Sequence, residues 1–466
     1  MYKPNKEEFI KLAEKGNLIP VYKEIPVGDE KPVSAFRKIE GEYSFLLESI
    51  EGGEKIARYS FLGTCSKDKV HELKSFKAIK NVLGKYKAVK VDGLPRFHGG
   101  LVGYVSYDMV REIEKIPDKN KDDLKLSKMV LLHADTFLSF DHIKGKLFII
   151  SNAEIKGDPE KAYREACARI DNLEGALNKA VKLREIRQKD KTSGFSSNMA
   201  QEEYEAVVEK GKEHIKAGDV IQFVPSQRFE TDCRADPFDV YRVLRRINPS
   251  PYMYYLKLGK LKIVGSSPEV MVRLEDGMAT VRPIAGTRKR GKDEAEDLAM
   301  EKELLASDKE RAEHIMLVDL GRNDLGRVCD YGTVKVTEEM VIERYSHVMH
   351  IVSNVTGKLK NGMDSVDLLE ATFPAGTVSG APKVRAMEII DELETVKRGP
   401  YAGTIGYFGF SGEMDTCITI RTIVFKGDKA YIQVGAGIVA DSIPAEEYKE
   451  TVNKAKAMLK AVEMAS

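Results

Sequence analysis

Thr372-Phe-Pro-Ala-Gly-Thr-Val-Ser-Gly-Ala-Pro-Lys-Val-Arg385 is the stretch whose reading decides the fold. Gly376 and Gly380 flank Thr377, Val378 and Ser379, so the backbone here can take positive φ and be approached closely. Pro382 suits the first turn of a helix, and Ser379 lies upstream as a candidate cap. Behind them Val384, Met387, Ile390 and Leu393 recur at helical spacing and predict a helix with one apolar face. A small-residue loop feeding a helix N-terminus presents free N–H groups that suit an anion. The plainer alternative is a tight turn before a surface helix. A Walker A loop is excluded, because no Gly-Lys-Ser/Thr follows at the required spacing.

Outward from this loop the chain reads mostly as short strands. Downstream these are 403–410, 417–425 and 430–436, followed by a closing helix from Pro444. Upstream, 333–337 and 347–356 are strands, and Ser307 with Glu310 forms a capping box that opens a helix over 308–320. Strands at 220–229, 254–258, 261–266, 270–274 and 279–283 precede it, joined by short turns such as Glu275-Asp-Gly277. Asn198 and Gln201 mark the start of a helix whose inner face carries Tyr204, Val207, Val208, Gly211 and Ile215. Lys189-Asp-Lys-Thr-Ser-Gly-Phe-Ser-Ser197 has the composition of an interdomain connection, and divides residues 1–190 from 198–466. Before it, 158–189 is helical, 131–140 and 146–151 form a hairpin, and 97–108 is a Gly-rich aromatic strand and bend. Strands at 18–25, 43–49 and 58–63, a turn at Glu51-Gly-Gly53 and a helix over 5–15 complete the reading. Successive strands with few helices between them predict an α+β fold, its sheets mainly antiparallel and its helices outside.

Hydrophobic residues make up 42% and charged residues 32%, which describes a soluble globular protein. The net charge of +1 leaves no bulk electrostatic case for nucleic acid or an acidic membrane surface. No apolar run reaches the roughly 18–20 residues of a membrane-spanning helix. Met1-Tyr-Lys-Pro-Asn-Lys-Glu-Glu has no apolar signal core, so the expected location is cytoplasmic. Cys65, Cys167, Cys233, Cys329 and Cys417 are dispersed, with no C-x-x-C pair, as reduced thiols would be. None sits in a Gly-x-Cys-x-Gly elbow, so a glutaminase thiol is absent.

The run Phe373-Pro-Ala-Gly-Thr-Val-Ser-Gly-Ala-Pro-Lys383 closely resembles the signature of the chorismate-utilising enzymes, in particular the anthranilate synthase large subunits. The resemblance covers essentially the whole chain and is densest from Tyr204 to Lys454. It implies two mainly antiparallel sheets packed as a sandwich, with both parts of the chain contributing.

Four constellations carry the chemistry. Glu313 lies mid-helix, and Glu447 and Glu450 are three apart on the closing helix, hence on one face. A few hard carboxylate oxygens suit Mg²⁺, which keeps waters and shares its shell with an anionic substrate. The resemblance assigns Glu313 and Glu450 to the metal, with Glu447 bonding through water. Arg421 sits in an apolar run, where an unpaired guanidinium is costly, so it is either paired to an internal acid or held for an anionic ligand. Gly435, Ala436 and Gly437, and likewise Gly286 and Thr287, offer close-approach N–H groups, or else β-bulges. In the resembled family these positions hold the carboxylates of chorismate, with Tyr401 beside the enolpyruvyl group. Tyr345-Ser-His-Val-Met-His350 puts two histidines on opposite sides of a strand. By motif position His350, not His347, matches the family's base, with Thr377 nearby.

The fourth constellation separates sister enzymes. Aminodeoxychorismate synthases carry lysine where this chain has Ala285, an amine able to attack the ring covalently. Isochorismate and salicylate synthases carry a water-activating lysine near Gln222. Both absences fit external ammonia as nucleophile, and the resemblance implies a separate glutamine amidotransferase subunit supplying it, in a hetero-oligomer. It also implies a regulatory tryptophan site at Ser49, within Leu-Leu-Glu-Ser, and at Pro251, Tyr252 and Met253. The alternatives are an aminodeoxychorismate synthase component I and a silent tryptophan-sensing protein.

Overall fold

The computed structural model describes residues 1–50, 58–186, 194–345 and 348–466. The turn expected at 51–53, most of the 189–197 connection and His347 lie outside the described residues. Among the described residues, no helix is long and apolar enough to cross a membrane.

The strands gather into two large antiparallel sheets. From edge to edge the first runs Leu18–Pro26, Lys146–Glu154, Thr136–Asp141, Tyr59–Cys65, Tyr43–Glu48 and Tyr252–Leu258. It continues with Leu261–Ser267, Thr422–Lys426, Lys429–Gly435, Ser226–Asp232 and Ser196–Ser197. The second runs Ile284–Lys289, Val348–Lys358, Met278–Val281, Val270–Glu275 and Met414–Ile418. Thr404–Gly409, Gly100–Val105, Met129–Ala134 and Val70–Glu72 follow, and Lys335–Arg344 also pairs with Val348–Lys358. Segments 1–190 and 198–466 share both sheets: Tyr43–Glu48 pairs with Tyr252–Leu258, and Gly100–Val105 with Thr404–Gly409.

The inner faces meet in a layer rich in aromatic side chains. Phe45, Phe61, Phe137 and Tyr254 of the first sheet oppose Tyr104 and Tyr407 of the second, and Phe97 stacks on Tyr407 at 4.3 Å between centroids. Full burial of a large apolar side chain contributes roughly 1.5–3 kcal/mol, so this layer is a major force holding the sheets face to face. Helices close the outer faces. Pro159–Leu177, Pro237–Ile247 and Pro444–Ala465 bury Ala166, Leu244 and Met458 over the first sheet. Phe76–Leu83, Asp308–Val328 and Ser365–Thr372 bury Ile79, Leu325 and Leu369 over the second. This is the expected α+β sandwich.

Three expected strands are each divided. The 131–140 run splits into Met129–Ala134 and Thr136–Asp141, and the 417–425 run into Met414–Ile418 and Thr422–Lys426. In both cases the chain crosses from the second sheet to the first. Strands buried on both faces read as unbroken apolar runs, so periodicity cannot see the crossing. The 220–229 strand breaks at Pro225, which lacks an N–H for the ladder. Gln222–Phe223 leaves the sheet to pair with Gly380–Ala381.

Helix starts also differ in detail. Lys383–Leu393 has Pro382 as its N-cap residue, and Ser379 does not cap it but donates its hydroxyl to the Ala375 carbonyl at 2.8 Å. Gly380 has φ 135°, and a Cβ there would collide with the Gln222 carbonyl. Asn198 caps no helix. Its side chain accepts the Arg228 N–H at 2.6 Å, while the Glu203 carboxylate takes the Ala200 N–H at 2.7 Å and starts Gln201–Lys216. The expected 158–189 helix ends at Leu177, and the helix from Asp308 runs on to Val328.

Candidate active site

A cavity of about 590 Å³ lies where helices Asp308–Val328 and Pro444–Ala465 meet strand ends of both sheets. Its walls bring together His350, Thr377, Gly286, Thr287, Tyr401, Arg421, Gly435, Gly437, Glu313, Glu447 and Glu450. One expected member is behind the wall. Ala436 spends its N–H on the Pro225 carbonyl (3.3 Å) and is fully buried in the cluster of Tyr204, Phe223 and Ile438, so it offers nothing to a ligand.

The Gly286 region is a β-bulge, as the register of Ile284–Lys289 on Val348–Lys358 slips between Ala285 and Thr287. Gly286 takes φ 63°, and a Cβ there would press on Leu304 and Glu310 at 3.0 Å. The bulge places the Gly286 carbonyl and the Thr287 hydroxyl each 3.0 Å from His350 Nδ1. The carbonyl can only accept, so Nδ1 carries the proton and Nε2 is left as the basic nitrogen. Burial holds the His350 pKa below its usual 6.5, so the ring is neutral at pH 7.

Arg421 occupies the crossing between Met414–Ile418 and Thr422–Lys426 rather than the middle of one strand. Its φ of 51° is sparsely populated for a side-chain-bearing residue, a local strain that occurs where a site requires it. It lines the cavity, and among the described residues its guanidinium makes no hydrogen bond or ion pair. Burial lowers its pKa, with Glu450 and Tyr401 opposing. Of the two readings open from sequence, a cation held for an anionic ligand is the one this geometry supports.

Burial raises the carboxyls of Glu313 and Glu447 above the ordinary range. Lys454, at 2.6 Å from Glu450 Oε1, also donates to the Gly435 carbonyl at 3.1 Å. The donor set is therefore hard carboxylate oxygen, under-compensated by protein cations, and it fits a divalent ion such as Mg²⁺. Among the described residues, no three acidic, histidine or cysteine side chains cage an ion by themselves. An ion here would complete its shell from substrate and water.

Two of the groups that sequence reading missed in the cavity wall, besides Lys309 and Gln433, bear on its charge. Glu269 is 7% exposed, and burial pushes its carboxyl up to about 8, with the Thr377 hydroxyl and Ile284 backbone opposing only in part. It is a protonated acid at neutral pH. Its signal was present in Ser266-Ser-Pro-Glu-Val270, an acid set in an otherwise apolar run of strands. Lys454 is the other, four residues beyond Glu450 on one helix face.

The family model described as chorismate binding enzyme matches residues 42–460. The chain belongs to the chorismate-binding enzymes. It is 48% identical to "Anthranilate synthase component 1" of Acetivibrio thermocellus, covering 100% of this chain and 99% of that one. A second protein of that name, from Aquifex aeolicus (strain VF5), is 48% identical over 98% of this chain and 97% of its own. The crystal structure of anthranilate synthase component I from Streptococcus pneumoniae TIGR4 superposes with a TM-score of 0.79. It is 37% identical and covers 93% of this chain and 99% of that chain.

This chorismate-binding chain has a second cavity, of about 40 Å³, whose walls share no residue with the first. Ser49, Pro251, Tyr252 and Met253 all line it, with the Ser49 hydroxyl donating to the Pro251 carbonyl at 2.7 Å. Its walls include residues from both parts of the chain. Arg96 and Arg273 share one carboxylate, Asp415, at 3.2 and 3.1 Å, and with Glu48 the wall holds two guanidinium and two carboxylate groups. Glu48, beside Ser49, is buried and bonded to Tyr241 and Arg245.

Proposed function

We propose that this chain is the synthase subunit of an anthranilate synthase, a lyase that converts chorismate and ammonia to anthranilate and pyruvate. One observation carries the reading: the chamber holds a protonated acid, Glu269, a neutral base, His350, and an unpaired cation, Arg421, with no lysine at 285 or 222. When bound, Mg²⁺ supplies Lewis-acid neutralisation of the ring carboxylate, with Glu313 and Glu450 as its protein ligands and Glu447 through water. Arg421, the Gly286–Thr287 bulge, Gly435 and Gly437 hold the substrate carboxylates, and Tyr401 packs beside the enolpyruvyl group.

Ammonia attacks C2, the C1=C2 pair moves to C1=C6 and the C5=C6 pair to C4=C5, and the C4–O bond breaks. Glu269 gives its proton to the departing hydroxyl, which leaves as water, and the proton shed by the new ammonium group balances it. His350 then takes the C2 proton through Nε2, that pair closes C2=C3 and aromatises the ring, and the C3–O bond breaks to expel the enolate of pyruvate, which gains a proton at its methylene carbon as His350 returns to the neutral form. Ala285 is buried in the chamber wall, so no amine competes by the covalent route of an aminodeoxychorismate synthase. The relatives are named as a first component, which implies a second. Burial raises all five thiols of this chain, so none is a poised glutaminase nucleophile. A glutamine amidotransferase partner therefore supplies the ammonia.

We assign the second cavity to tryptophan as a feedback inhibitor, its carboxylate facing Arg96 and Arg273; at about 40 Å³ the cavity has to widen to admit it. The test of the main reading uses the isolated chain with chorismate, Mg²⁺ and excess ammonium at mildly alkaline pH. Anthranilate and pyruvate are expected together, with no glutamine-dependent reaction until the partner is added. Isochorismate or 4-amino-4-deoxychorismate as product would refute it.

A further inference from the structure

Three turns from distant parts of the chain support one wall of the chamber, and all three lean on a single guanidinium that does not itself line it. Arg398 Nη1 donates to the Val378 carbonyl at 2.8 Å, and Nη2 to the Val224 carbonyl at 2.6 Å. Its Cζ lies over the Tyr401 ring at 5.5 Å to the centroid, and over the Tyr107 ring at 4.6 Å. Glu394 neutralises it through contacts of 2.6 to 3.1 Å, and the same carboxylate accepts the Ser226 N–H and hydroxyl, each at 2.8 Å. The two side chains are 1% and 3% exposed.

Stability alone does not explain this pair. Desolvation largely offsets the attraction of buried charges, and well-packed neutral replacements often do as well. A forked planar cation does what no apolar side chain can: it fixes several carbonyls and a ring at set angles to one another. Its partners adjoin working groups, for Val378 is bonded to Thr377, Val224 lies two residues from Gln222, and Tyr401 is itself in the wall. We propose that Arg398, held by Glu394, is the positioning residue that sets Thr377 and Tyr401 against the opposite wall of the chamber. The proposal rests on the assigned reaction for its assay.

The test uses the full chain in the ammonium-dependent assay. The double variant Arg398→Met with Glu394→Gln removes both charges, keeps similar volumes and leaves an acceptor for Ser226. It is expected to fold, with kcat about 100-fold lower, the loss that follows a misplacement of about 1 Å. KM for chorismate should stay within about fivefold, because Arg421 and the glutamates are untouched. Arg398→Lys keeps the charge and loses the fork, and should also lower kcat, by about tenfold or more, in a folded protein. A folded double variant with kcat within threefold of wild type would overturn the proposal. Failure of both variants to fold would do so too, since the pair would then be structural. Absence of anthranilate from the wild type refutes the assigned reaction instead, so the two failures are distinguishable.

Discussion

Glu269→Gln separates an acid from a spectator in one measurement series. The variant keeps the size of the side chain and an acceptor for Thr377, but it carries no transferable proton. In the wild type, burial lifts the carboxyl from its ordinary 4.5 to about 8. The folded state therefore holds this proton more tightly than the unfolded chain, and stability is lost as pH rises from about 4.5 through about 8. At about 1.4 kcal/mol for each tenfold difference in proton affinity, the loss amounts to about 5 kcal/mol. Glutamine escapes it. Denaturant unfolding of both proteins without ligands should show similar stabilities at pH 4.5. A gap in favour of the variant should open by roughly that amount at pH 9. In the ammonium assay the same variant should lose about two to four orders of magnitude in kcat. A pH-independent stability difference would refute the burial argument. Turnover within tenfold of wild type would refute the acid role, whatever the stability shows.

Glu313→Gln and Glu450→Gln should each abolish Mg²⁺-dependent turnover with the far-UV circular dichroism spectrum unchanged; normal turnover at limiting Mg²⁺ removes that residue from the metal site. Ser49→Phe should fill the small cavity and relieve tryptophan inhibition, with the uninhibited rate changed by less than about twofold. A wild type that neither binds tryptophan calorimetrically nor responds to it would remove the regulatory assignment. His350→Ala should accumulate the aminated, pyruvate-bearing intermediate, seen by chromatography of quenched reactions. In the wild type, burial lowers the His350 pKa, so the elimination step should hold its rate at pH 7 and lose it only as pH falls below 6.5. Protonation already complete at pH 7 would contradict that environment.

The fold class was legible because its signals are local. Alternating apolar residues and short turns placed most of the strands, and the run 372–385 pointed to one family, but helices Pro32–Ile39, Phe76–Leu83, Pro237–Ile247, Glu294–Ala306 and Ser365–Thr372 went unread. The candidate site was named residue by residue through the resemblance; spacing added that Glu447 and Glu450 share a helix face, and both line the chamber. The expected strands were divided where the chain changes sheets, at Asp135, Pro225 and Thr419–Arg421, since a strand buried on both faces gives no periodic sign of leaving one sheet for another.

By itself, then, the sequence determined the α+β class, the family, the candidate ligands and the absence of a lysine at 285 and 222. Tertiary structure alone decided which of those residues face one space and in what charge state. Glu269 reads as an ordinary acid until the sandwich closes over it and removes the water that would keep it ionised. Arg421 reads as a strand residue until the crossing turns its backbone to φ 51° and leaves its guanidinium in the chamber, with no acid paired to it among the described residues. Arg398 carried no signal at all, because its role lies in joining Val224, Val378 and Tyr401, which only packing brings together. Spacing along a chain encodes local geometry, whereas desolvation and long-range pairing belong to the folded solid and have no local sign.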